Sequence, residues 1–341
     1  MKSRNSRVEL LRILSMFMII AHHYIYYGVY QKYLESPPEI TGGGYGLVNK
    51  AVAHLLLPGG IIGVAIFFII AGYFGIQNDK VKIKSIVFET ASYSLLCFAI
   101  WTILMCCHVF PLKFSLEDIT KCFFPCAGNT YWFVTTYIIL MLFKPTINVY
   151  FRKLSNKQLI CIFFLLILIY ACLRITAGSL LGLYQGIVYY LAGVILYRFH
   201  HKIKKSPYAY ALLGIIGWLG YAFFEISHLG GQLSGVMSTT IMGTVSALGI
   251  AAFFLYGKEC DNYMINKIGA STFAVYLIHE NPFLRETLWS KILHVETFQM
   301  YSSFFPLLAC LSVTGVFVVC IMIDLIKKNS LNKLFYKLSG H

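Results

Sequence analysis

The chain has 341 residues, of which 58% are hydrophobic and only 12% charged, about half the charged fraction of an ordinary soluble domain. A formal charge of +14 on a soluble chain would suggest nucleic acid, but here the basic residues lie between apolar runs long enough to cross about 30 Å of hydrocarbon. Composition therefore excludes a soluble domain, and the chain reads as a single all-α polytopic membrane domain over residues 1–341, with ten spans.

The first predicted span, 8–28, is the most unusual. Its core, ELLRILSMFMIIAHHY, sets Glu9, Arg12, His22 and His23 among Leu, Ile, Met and Phe. It lacks an A-x-A cleavage pattern and holds charges inside the apolar run, so it is not a removable signal. At 100° per residue Arg12 and His23 project from one helical face, about 16 Å apart along the axis. Glu9 and Met16 share that stripe, and His22 points about 100° away. An ionised group at the bilayer centre costs roughly 3 kcal/mol even on the insertion scale, which marks the stripe as a candidate functional site. The plainer alternative has Arg12 snorkelling to the interface and pairing with Glu9 at i, i+3, while the histidines hydrogen-bond across the bundle.

The second span, 47–76, is interrupted at LLPGGIIG, where Pro58, Gly59 and Gly60 predict a break or kink. Broken helices at membrane depth usually line a cavity, because the freed backbone groups need a polar partner; a packing kink is the other reading. Loops 29–46 and 109–130 are long enough to roof an external entrance. Spans 86–108, 131–150, 158–176, 184–199, 208–226 and 236–256 follow, with Tyr131 and Trp132 opening the fourth and Glu225 and His228 near the outer end of the seventh. The ninth, 270–290, contains FAVYLIHENPFLRETLW and so carries Tyr276, His279, Glu280, Asn281, Arg285 and Glu286; the tenth is 303–326.

Alternating these spans leaves only Lys32, Lys50, Lys113, Lys121, Arg174, Arg285 and Lys291 on one side, out of 28 Lys and Arg. The positive-inside rule then puts both termini in the cytoplasm, and the excess charge reports topology and anionic membrane lipid, with no nucleic-acid partner. Of the ten cysteines, most sit in apolar runs as small hydrophobes. Cys122 and Cys126 lie in a connection and would pair if it faced an oxidising compartment. No spacing matches a metal site.

Four motifs in order carry a family resemblance. RVELLRILSMFMIIAHHY resembles the opening signature of the acyltransferase 3 family, in which an Arg is followed after ten residues by a His; Arg12 and His23 match that spacing. GVAIFFIIAGYF is similar to the family's second-helix segment, with Ala71 and Tyr73 where relatives carry Ser and Phe. NTYWFVTTY, from Asn129 to Tyr137, resembles its aromatic segment, and STFAVYLIHENP its late Tyr-Leu-Ile-His segment, ending at His279. The likeness covers nearly the whole chain.

The resemblance implies an integral-membrane O-acyltransferase of a bacterial plasma membrane. Such enzymes often move acetyl from acetyl-CoA to a hydroxyl of a surface polysaccharide, peptidoglycan or lipid-linked glycan, without a metal. His23 is then the expected general base, or a transient acyl carrier. Arg12, held by Glu9, is expected to meet the donor. Relatives carry arginines in the loop after the second helix; here QNDKVKIKS offers Lys80, Lys82 and Lys84, point charges without the bidentate geometry of Arg. His22, Trp132, His279 and Glu280 are candidate acceptor-binding residues, and His279 and Glu280 would instead orient His23 if their helix packs on the first. The rival reading is a transporter or flippase of lipid-linked sugars, which needs no nucleophile chemistry and which the Arg12 and His23 spacing disfavours.

Overall fold

A computed structural model describes residues 4–30, 45–107, 115–126, 130–176, 181–200, 206–227, 232–295 and 299–338. Asn129 and His228 lie outside these residues, as do 31–44 of the first long loop and 109–114 and 127–129 of the second. Among the described residues there are helices and no strand. The first helix, α1 (Ser6–Ile25), continues into a π-helical turn over Tyr26–Tyr30, and the broken second span forms α2 (Tyr45–Leu56) and α3 (Gly59–Gly75). Next come α4 (Ile83–Cys106), the short amphipathic α5 (Leu116–Phe123), α6 (Trp132–Lys153), α7 (Asn156–Ile175), α8 (Leu181–Phe199) and α9 (Pro207–Ser227). A single turn, α10 (Gln232–Gly235), passes through a π-helical stretch, Val236–Met242, into α11 (Gly243–Leu255). The chain continues through α12 (Tyr263–Gly269), α13 (Thr272–His279) and α14 (Pro282–Glu286), and ends in the long α15 (Phe305–Leu338).

Eight helices of the described residues are long and apolar enough to cross a membrane, so the chain is an all-α polytopic membrane protein. The two remaining predicted spans differ from these in kind. Helix α8 carries Gln185 and several tyrosines, and its middle is buried from Gln185 to Val194, so it is a core element with little lipid contact. The predicted span 270–290 is no continuous helix: it stops at His279, restarts at Pro282 and turns π-helical over Thr287–Ile292. The physical cause is local. The Asn281 side chain accepts from the Phe283 amide as an N-cap, and Pro282 occupies the first helical turn, where its missing N–H costs nothing.

Helix α3 is the centre of the bundle, packed between α1 and α8. A Cβ at Gly72 would strike the Tyr190 carbonyl, and one at Gly193 would strike the Ile69 carbonyl, so the two backbones approach as closely as glycine allows. Small residues serve this purpose between membrane helices, where lipid offers no hydrophobic drive to association. The start of α1 is tied to the chain before α12: Ser6 N donates to Cys260 O at 2.8 Å, and Ser6 Oγ to Asn266 Oδ1 at 2.9 Å. Cys122 and Cys126 are both free thiols.

Gly193→Val forces α3 and α8 apart and is expected to cost about 3 kcal/mol, read as a lower midpoint of thermal unfolding in detergent. Gly315→Ala, where no atom outside its own helix backbone lies within 4 Å of the added Cβ, should leave that midpoint unchanged or raise it. Equal behaviour of the two variants would contradict the close approach.

Candidate active site

Two cavities follow α1, one at each end of its polar stripe. The first, of about 690 Å³, is lined by Glu9, Arg12 and Met16 together with Arg4 and Lys144. Its deeper wall is apolar, from Phe67, Ile70, Phe133, Val134 and Met141. The second, of about 550 Å³, is lined by His22, His23 and Tyr27 of the α1 extension, with Gly60, Trp132, Gln185, Glu280 and Arg285. Tyr276 alone, among the described residues, lines both. The stripe read from the sequence therefore runs past both chambers, with Arg12 facing the first and His23 the second.

In the first cavity Arg12 Nη1 lies 2.5 Å from Glu9 Oε1, and Arg4 is 3.9 Å from the same oxygen. Glu9 is buried, so it fixes the Arg12 head while the cation stays accessible. Lys80, Lys82 and Lys84 are exposed and none lines this cavity; the cations that do are Arg4, Arg12 and Lys144. Lys144 reaches the loop after α3 through its backbone, donating to Lys80 O at 3.0 Å. Asn148 and Arg152, at successive i+4 steps along the same face of α6, complete the clamp. Asn148 donates to Gly75 O at 2.9 Å and to Asp79 Oδ1 at 2.8 Å, and Arg152 holds both Asp79 oxygens at 2.7 and 2.9 Å. Hydrogen bonds from Arg152 and Asn148 keep the Asp79 carboxyl below its usual range.

In the second cavity a chain of hydrogen bonds orients His23. His279 Nδ1 is 2.6 Å from Val275 O, a group that only accepts, so this nitrogen carries the proton. The other nitrogen of a neutral His279, Nε2, is then an acceptor, and His23 Nδ1 lies 3.0 Å from it. The same His23 nitrogen is 3.2 Å from Glu280 Oε2. His279 Nε2 accepts from His23 Nδ1, so that nitrogen bears the hydrogen and His23 Nε2 is left with its lone pair free; Glu280 Oε2 lies close by as a charge, without hydrogen-bond geometry. Glu280 accepts in turn from Tyr27 Oη at 2.9 Å and Arg285 Nη1 at 3.0 Å. His279 and Glu280 are 1% and 4% exposed, and both come from the break between α13 and α14. Both His279 nitrogens are engaged within the protein, one with Val275 O and one with His23, which leaves none for an acceptor.

His22 has a different task. Its Nδ1 sits 2.6 Å from Leu57 O, the carbonyl released where α2 gives way to α3, and its ring fills the space that a Cβ at Gly60 would need. Trp218 Nε1 donates to the neighbouring Leu55 O at 3.0 Å. The broken second span thus finds the polar partners that hydrocarbon denies it. Trp132 lines the same cavity, as do Gln185 and Thr130. Gln185 Nε2 and Thr130 Oγ1 are buried with no partner in the protein, which makes them polar groups facing a space able to hold a ligand.

The bundle thus carries two cavities along α1, one beside Arg12 and one beside an imidazole oriented by His279. An acyltransferase domain model matches residues 5–323, and the chain belongs to the acyltransferase 3 family, whose members are membrane acyltransferases. The family match favours acyl transfer over the transporter reading. Neither curated proteins nor solved structures give a match.

The clamp on Asp79 makes a pH prediction. A carboxyl with a lowered folded-state pKa contributes stability that is complete above its unfolded value and disappears as pH falls through the folded one. Wild type should therefore lose thermal stability below about pH 4 more steeply than Asp79→Asn, which lacks that contribution already at neutral pH. Parallel acid limbs would show that the clamp contributes nothing.

Proposed function

We propose that this protein is an O-acyltransferase of the cell membrane that moves acetyl from acetyl-CoA to a hydroxyl of a surface or lipid-linked glycan, with His23 as general base. The observation that carries this reading is the chain from the Val275 carbonyl through His279 to His23, which leaves His23 Nε2 free to accept a proton in a cavity with unpartnered polar groups. A sugar hydroxyl is a poor nucleophile, and a base oriented by a second group is the usual way to activate one. Glu280, 3.2 Å from His23 Nδ1, stabilises the imidazolium that forms, as the carboxylate does in a catalytic triad.

The donor enters the first cavity. Arg4, Arg12 and Lys144 offer fixed cations for its phosphates, and the apolar wall behind them suits the pantetheine arm. The positive-inside distribution assigns this cavity to the cytoplasm, where acyl-CoA is found, and both termini lie on that side. The acceptor enters the second cavity, where Trp132 stacks on a sugar ring and Gln185 and Thr130 meet its hydroxyls. Lys80, Lys82 and Lys84 act through the surface potential of the loop and hold anionic lipid. Glu9 positions Arg12, and His22 keeps the second helix open beside the acceptor.

Purified protein, labelled acetyl-CoA and surface glycan from the producing cell provide the test. His23→Ala is expected to lower transfer by about 100-fold to 10,000-fold without loss of folded protein. His22→Ala should act chiefly on stability, because it strands the Leu57 carbonyl. Transfer by His23→Ala at the wild-type rate would refute the assignment of the base, and inactivity of a well-folded His22→Ala alone would move that role to the other histidine.

A further inference from the structure

The two cavities meet at one side chain, and that side chain has an unused polar atom. Tyr276 is 3% exposed and is held by aromatic contacts. Its ring meets Phe133 edge-on at 5.4 Å, lies 6.0 Å from Tyr131, and stands across from His279 at 6.2 Å. Its hydroxyl has no hydrogen-bond partner in the protein. Nearby Tyr131 shows what a structural hydroxyl looks like here: its Oη donates to Leu277 O at 2.8 Å and accepts from Asn281 Nδ2 at 2.6 Å. An unpartnered buried hydroxyl is costly and rare, and this one belongs to the residue that separates the space next to Arg12 from the space next to His23. Tyr276 and His279 are three residues apart on α13, so the hydroxyl and the group that orients His23 are carried by the same two turns of helix.

Building on the acyltransferase reading, we propose that the Tyr276 hydroxyl donates a hydrogen bond to the carbonyl oxygen of the acyl thioester as it becomes an oxyanion. The acceptor hydroxyl oxygen bonds to the thioester carbon, and its proton passes to His23 Nε2. The negative charge that develops on the former carbonyl oxygen is met by the Tyr276 O–H. When the carbonyl re-forms, the C–S bond breaks, the electron pair leaves on sulfur, and the proton on His23 goes to the CoA thiolate. The products are the glycan ester and free CoA. A donor aimed at a site where charge appears only in the transition state accelerates the chemical step without tightening ground-state binding.

Tyr276→Phe removes the hydroxyl and keeps the ring. The expected result is a fall in kcat of about 100-fold to 1,000-fold, with the KM for acetyl-CoA and the equilibrium affinity for CoA unchanged. Thermal stability should be equal or higher, because an unsatisfied buried hydroxyl is lost. Tyr131→Phe is expected to do the opposite, lowering stability because it deprives Leu277 O and Asn281 of their partner. A structural role for Tyr276 would appear as a lower unfolding midpoint with kcat preserved in the folded fraction, and that result overturns the inference while leaving His23 as the base. Transfer by wild type and by Tyr276→Phe at equal kcat overturns it as well. If wild type transfers no label to glycan, the acyltransferase reading falls and this inference falls with it.

Discussion

Every polar backbone group inside a bilayer needs a partner, and this bundle breaks helices at membrane depth in two places. At the first break, between α2 and α3, the exposed carbonyls of Leu55 and Leu57 are met by Trp218 and His22. At the second, between α13 and α14, the chain caps itself with Asn281 and exposes His279 and Glu280 to the first helix. Both breaks border the same cavity. The cost of interrupting a helix in hydrocarbon is thus offset by the same side chains that form the site.

These breaks also determine what α1 does. A straight apolar helix crossing a membrane has no use for Glu9, Arg12 and two histidines. Here its stripe passes one chamber with three cations and then another with an oriented imidazole, and α3 is pressed so closely between α1 and α8 that the arrangement has little room to relax. The close approach at Gly72 and Gly193 fixes the helix whose broken end His22 supports. Charge is handled in the same manner. Glu280 is buried, but its Oε1 accepts from Arg285 and Tyr27 and its Oε2 lies 3.2 Å from His23, so its charge does not stand alone in the low-dielectric interior.

Much of this was legible in the residues. The periodicity of α1 put Glu9, Arg12, Met16 and His23 on one face, and Pro58-Gly59-Gly60 marked the first break. The second break was missed: the run 270–290 reads as one span, although Asn281-Pro282 is an N-cap followed by a proline at the first helical position. Other features depend on contacts that no local pattern encodes. His279 reaches His23 across a separation of 256 residues, and the role of Tyr276 depends on two cavities that exist only after packing. Lys144 read as topological charge, whereas it lies inside an apolar helix just before Pro145 and lines the first cavity. Lys80, Lys82 and Lys84 were attractive by analogy, but the clamp uses the Lys80 carbonyl and leaves the three side chains in solvent.

The hydrogen bonds from Val275 O through His279 fix one tautomer of His23. The most direct measurement is nitrogen-15 NMR of histidine-labelled protein in lipid, with the His23 signal assigned by its loss in His23→Gln. This tautomer should appear as a neutral ring protonated at Nδ1, with a bare Nε2 whose chemical shift responds when the second cavity is occupied by glycan. A neutral His23 protonated at Nε2 would contradict it, because that ring would have no lone pair to offer the acceptor hydroxyl.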